Sequence, residues 1–191
     1  WHKANNIIFD HCSLSYAGWT GVGLRGDNTY NITFQNSIIA ESKTGAIWGD
    51  SNIAQTEDVS FNGNYFYNVS HRFPNPNSDG RIDVINNVVQ NPTFRICSNT
   101  HTPLLNHINN YVAAGAWTSM GYSKMNRDFD NQANHIYSKG NIINKNIFTD
   151  PNANNEPIWS KWNAGSETQA LPSSNFTNTQ YELVGRPFTI K

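Results

Sequence analysis

The feature that most restricts this chain is a motif that returns about every 25 residues. Its form is apolar, any, apolar, any, Asn or a small residue, any, then two positions that are often apolar. The first copy is Ile7-Ile8-Phe9-Asp10-His11-Cys12-Ser13-Leu14 and the second is Ile32-Thr33-Phe34-Gln35-Asn36-Ser37-Ile38-Ile39. Further copies begin at Val59, Ile82, Leu105 and Ile136, so the six starts are separated by 25, 27, 23, 23 and 31 residues. Each copy alternates apolar and polar side chains for three or four positions, as a strand with one buried face does. A Gly or Asn pair then breaks the strand before apolar residues resume, which reads as strand, sharp bend, strand. A sustained period of this length marks stacked repeats. The spacing suits one coil of a parallel β-helix, each coil lying about 4.8 Å above the last. Leucine-rich repeats share the period but demand regular Leu. A β-sandwich would place strands every ~8–12 residues with no longer period. The expected fold is therefore all-β, a right-handed parallel β-helix of about six coils over residues 1–149. An irregular tail of the same domain follows over residues 150–191.

Composition agrees with frequent turning. Asparagine occupies 30 of the 191 positions, and Asn is poor inside helices but tolerant of left-handed backbone. Asn36, Asn64, Asn86, Asn109 and Asn141 are expected at one corner, where stacked side chains hydrogen-bond from coil to coil as a ladder. Aromatic content of 13 % argues against disorder. Charged residues are only 14 % and the net charge is -1, which disfavours nucleic acid and anionic membrane surfaces. No apolar run approaches the length of a membrane-spanning helix. The chain opens Trp1-His2-Lys3 with no signal-peptide pattern, and strand signal begins by Ile7. The first coil is thus expected to present a raw edge, capped by upstream sequence or by another chain. The tail is rich in Pro, Asn and Ser and carries Trp159 and Trp162; it is expected to fold back along the coils as a cover. Cys12 and Cys97 fall three or more coils apart, over ~14 Å at that rise, where a disulfide needs about 7 Å. Both are expected to be free.

Several segments together resemble the pectate lyase family. They are Asp10-His11-Cys12-Ser13-Leu14-Ser15, Ile38-Ile39-Ala40-Glu41-Ser42, Gly45-Ala46-Ile47-Trp48-Gly49-Asp50, His71-Arg72-Phe73-Pro74 and, most clearly, Arg81-Ile82-Asp83-Val84-Ile85-Asn86-Asn87-Val88-Val89-Gln90-Asn91. That family consists of secreted β-helix enzymes that cleave polygalacturonate by β-elimination. The resemblance implies an extracellular protein acting on an acidic polysaccharide, with Arg72 removing the proton at C5 of a uronate. It implies Lys43, Arg81 and Arg95 as the cations that hold substrate carboxylates. Arg normally stays protonated, so it serves as a base only where nearby cations and desolvation destabilise its charged form. The resemblance also implies calcium, which needs hard oxygen ligands. Here the pattern departs from the family: two of its carboxylates would fall ahead of residue 1, and Trp19 and Gly23 stand where two others belong. The family's second Arg after the Arg-x-Pro is replaced by Asn77 or Ser78. Two functional classes stay open on the sequence. One is a polysaccharide lyase with Arg72 as base. The other is a non-catalytic β-helix that binds glycans, as an adhesin or tail-spike module does. The six His residues are scattered over different coils, and His11 and His107 are expected in turn or core roles.

Overall fold

A computed structural model describes residues 3–26, 28–49, 56–93, 103–113, 115, 125–127, 135–143, 158–163 and 166–185. Three parallel sheets run along it. The first is built from β1 (Asn5–Asp10), β4 (Thr29–Gln35), β7 (Thr56–Asn62), β10 (Gly80–Ile85), β12 (Pro103–Ile108) and β15 (His135–Lys139). The second takes β2 (Ser13–Ser15), β5 (Ile38–Ala40), β8 (Tyr65–Tyr67), β11 (Val88–Gln90), β13 (Tyr111–Ala113) and β16 (Ile142–Ile143). The third takes β3 (Thr20–Leu24), β6 (Thr44–Gly49) and β9 (Asn75–Asn77). The fold is the expected parallel β-solenoid. All six repeats are rungs of the first two sheets and three carry a described strand in the third; the described residues make up about four turns, against the six coils expected.

Register follows directly from the repeat. Ile7, Ile32, Val59, Ile82, Leu105 and Ile136 stand in one column of the first sheet. Those from Ile32 onward are fully buried, at 0–1 % exposure. Phe9, Phe34 and Phe61 form the next inward column, with ring centroids 5.1 and 5.3 Å apart. Stacking at the coil rise lets each ring bury its faces against its neighbours, beyond the gain from area alone. The column then continues as Val84, His107 and Ser138.

The corner between the first two sheets holds two adjacent columns. His11, Asn36, Gly63, Asn86, Asn109 and Gly140 have positive φ, from 48° to 70°. This is the left-handed backbone that Gly and Asn tolerate best, and it makes the sharp bend. The next residue in each coil points inward and builds the ladder. Asn64, Asn87, Asn110 and Asn141 are buried; the Nδ2 of the first three donates to the Oδ1 of the Asn one coil on at 2.9–3.1 Å, and that of Asn141 donates to Ser138 Oγ. Each Nδ2 also donates to a carbonyl one coil back, as Asn87 does to Phe61 at 3.0 Å. Ser37 ends the ladder: its backbone N–H donates to Asn64 Oδ1 and its hydroxyl turns back to Gln35. The expected ladder is therefore corrected at three positions. Asn36, Asn86 and Asn109 make the bend, while Ser37, Asn87 and Asn110 occupy the ladder.

The described tail lies against the coils. Trp159, on β17 (Trp159–Asn163), is fully buried, donates from Nε1 to Ser138 Oγ at 3.0 Å and meets His107 edge-on at 5.4 Å. β17 pairs antiparallel with β18 (Ser166–Ala170) and parallel with β14 (Met125–Arg127), so this part of the tail is more regular than its composition suggests. Farther on, Thr177 N–H donates to Ile136, Tyr181 N–H to Asn106 Oδ1, and Val184 N–H to the buried Asp83 at 2.8 Å. The tail thus crosses the outer face of the first sheet like a strap. Burial pushes the Asp83 carboxyl above its ordinary range, against the lowering by Asn106 and Val184. Cys12 is a free thiol whose Sγ lies 3.4 Å from its own coil's Asp10 carbonyl; Cys97 lies outside the described residues.

His107 gives a pH dependence. Complete burial lowers its pKa to about 4, and a hydrogen bond with Asn141 only partly opposes this. The unfolded chain takes up a proton near pH 6.5 that the folded chain refuses. Stability is therefore full above about pH 6.5 and falls as pH drops toward 4, by about 3 kcal/mol in all. Asp83, whose pKa is raised, contributes in the opposite direction as pH falls. Urea titrations of the parent and His107→Gln at pH 7 and pH 4.5 isolate the histidine. The parent is expected to lose more stability between the two pH values than the variant, and equal losses would refute the assignment.

Candidate functional site

The turn from the second sheet into the third brings together two of the four cations expected to hold or cleave substrate. Lys43 closes the turn after β5, and its backbone N–H donates to Ala17 on the coil below. The next residue, Thr44, is bridged to His71 on the coil above. Gly45 N–H donates to His71 and Ala46 N–H to Arg72, both at 2.9 Å. Lys43 and Arg72 therefore lie on neighbouring coils at one corner, about 4.8 Å apart along the axis and offset by two positions, since Arg72 stands opposite Gly45. Arg72 is half-buried and has φ 71°, an uncommon conformation for a residue with a side chain. The Phe73-Pro74 bond that follows is cis.

Gly45 keeps this turn close. A β-carbon there would press on the Arg72 carbonyl oxygen and on the Phe66 ring, nearer than van der Waals contact allows. No other residue type permits β6 and the Arg72 segment to approach this far.

Beneath Lys43 stands an aromatic. Its ammonium lies 3.9 Å from the centroid of the Trp19 ring, and Trp19 is 61 % exposed. Tyr16, at the same turn, is also exposed. An ammonium over an indole face is attracted by the ring quadrupole. The sequence signal for this pair was the repeat itself, because Trp19 and Lys43 are one coil apart.

Arg81 and Arg95 stand differently. Arg81 lies on β10, so the length of β9 separates it in the chain from Arg72, and the fold does not bring it to that corner. Its guanidinium pairs with Asp58 through two contacts, at 2.8 and 3.1 Å, and with Glu182 at 3.5 Å. The hydrogen bond to Asp58 and these acidic neighbours favour its protonated form further. Arg95 falls outside the described residues.

Calcium does not fit the described corner. The resemblance places two of its carboxylates at Trp19 and Gly23, and the Trp19 ring carries a lysine ammonium instead. Among the described residues, no three His, Cys, Asp or Glu side chains come together. Hard cations need several oxygen ligands at once.

Comparison with protein-family profiles, with curated proteins and with solved structures finds no match for this chain. The class defined by the fold is a parallel β-solenoid. No helix among the described residues is long and apolar enough to cross a membrane.

Proposed function

We propose that the corner holding Lys43 and Arg72 binds the carboxylates of an extracellular acidic polysaccharide, a uronate polymer such as polygalacturonate, and cleaves it by β-elimination. Arg72, acting from its neutral form, takes the proton at C5, the C4–oxygen bond breaks, a C4–C5 double bond forms, and the departing sugar oxygen takes a proton from water. Lys43 faces the uronate carboxylate and stabilises the charge that builds on it as the proton leaves. The observation that carries this reading is the register: backbone bonds from Gly45 and Ala46 to His71 and Arg72 set the two cations on adjacent coils. Trp19, one side of whose ring already carries the Lys43 ammonium, adds its remaining exposed apolar surface for a sugar ring.

One observation favours a binding role without cleavage. Arg81, a cation the resemblance assigns to substrate, is already neutralised by Asp58 and Glu182. In that reading the same corner holds the polymer and leaves it intact.

Both readings require Lys43 to contact substrate. Calorimetric titration with a galacturonate oligomer is expected to show several-fold weaker binding for Lys43→Ala than for the parent. The salt dependence should also be shallower, since one exposed charge pair is lost. Equal affinity and equal salt dependence in the two proteins would remove this corner as the carboxylate site.

A further inference from the structure

The second sheet carries several apolar and aromatic residues on its outer face. Its middle column, Leu14, Ile39, Phe66, Val89, Val112 and Ile143, faces the core. The residues on either side face outward and also stand in columns. One runs Ser13, Ile38, Tyr65, Val88, Tyr111 and Ile142; the other runs Ser15, Ala40, Tyr67, Gln90 and Ala113. A sheet facing water ordinarily alternates apolar inward with polar outward. Here Ile38 is 43 % exposed, Val88 38 % and Tyr67 36 %. None of these outward positions is charged, although the chain carries 27 Lys, Arg, Asp and Glu residues in all.

We propose that this face is a second carbohydrate site, which takes a linear neutral polysaccharide laid along the solenoid axis. Shape decides between occupants. Six strands span about 24 Å along the axis, and the two outward columns lie about 7 Å apart. That footprint is far below the roughly 800 Å² per partner that a stable protein interface buries. A long, narrow strip suits one extended polymer chain. The strands from β5 to β13 are hydrogen-bonded on both sides, so they offer no free edge to an added peptide strand. The strip offers ring faces instead. Tyr65 and Tyr67 lie side by side with centroids 6.0 Å apart, and Tyr65 is held by a hydrogen bond from its hydroxyl to Gln90. Tyr111 stands two coils beyond Tyr65 in the same column. The coil rise is close to the length of one sugar residue in an extended chain, so successive coils meet successive rings. Charge selects the class of polymer. The strip has no cation for a carboxylate, and Glu41 at its rim, bonded to Asn68 at 2.8 Å, repels an anionic chain.

Affinity electrophoresis tests this, with gels containing hydroxyethylcellulose, galactomannan or polygalacturonate. The parent is expected to be retarded by at least one of the two neutral polymers. Tyr67→Ala should weaken that retardation about tenfold, while Lys43→Ala leaves it unchanged. Ile38→Ser, distant from the Tyr65–Gln90 bond, should weaken it too, and thermal melting confirms that both variants fold. Three results would each overturn the proposal. These are no retardation by either neutral polymer, equal retardation of the parent and both strip variants, or a dimer of the parent in sedimentation that both strip variants dissociate.

Discussion

Asn87→Ala is expected to cost the fold about 4 kcal/mol, whereas Asn86→Gly, one residue away, is expected to cost almost nothing. The difference follows from the two columns of one corner. Asn87 accepts from the backbone N–H and the side-chain Nδ2 of Asn64, at 2.9 and 3.1 Å, and donates to Phe61 and to Asn110. All of these groups lie out of reach of water, and each one left unpaired costs ~1–3 kcal/mol. An alanine there strands partners on both neighbouring coils and leaves a void between them. Asn86 is exposed, and its task is to hold φ at 56°, which glycine does without strain. Urea unfolding of both variants checks the claim. A loss below about 1 kcal/mol for Asn87→Ala would mean that the ladder does not hold the coils together. Against a total stability of roughly 5–15 kcal/mol, the expected loss is a large fraction of what keeps such a domain folded.

The repeat made the solenoid legible because a coil allows each inward position only one kind of side chain. Ile32, Val59, Ile82 and Leu105 could be placed in one column from their spacing alone. The ladder was misregistered at Asn86 and Asn109 for a physical reason. An Asn-Asn pair satisfies both the left-handed bend and the buried ladder, and nothing in the pair says which residue does which. The Gly63-Asn64 and Gly140-Asn141 pairs resolve it, since glycine has no side chain to offer a ladder. The tail was less legible. Trp159 against Ser138 and the Val184 N–H against Asp83 are contacts between segments that share no repeat. Of the site, the placement of Lys43 and Arg72 on adjacent coils could be counted from the coil period. The capture of Arg81 by Asp58 follows the same period, since the two residues are 23 apart. A cation on a strand pairs as readily with an acid one coil below as with a ligand, and the sequence alone does not separate the two. The Trp19–Lys43 contact shows the converse: where the resemblance led to an expectation of carboxylates, the chain places an aromatic ring under an ammonium.

Arg72→Ala is expected to abolish any lyase activity while leaving the fold intact. Removing a proton-transferring group typically costs ~10²–10⁴-fold in rate. The backbone carbonyl of residue 72, which accepts from Ala46, is kept by alanine. Arg72→Lys should fail as well, because an ammonium cannot reproduce the planar guanidinium at this turn. The most direct measurement is the ultraviolet absorbance of the unsaturated uronide formed from polygalacturonate, with calcium and with a chelator, for the parent and Arg72→Ala. The account predicts a rise with the parent under both conditions and none with the variant. A rise that survives Arg72→Ala, or no rise at all from a folded parent, would contradict it.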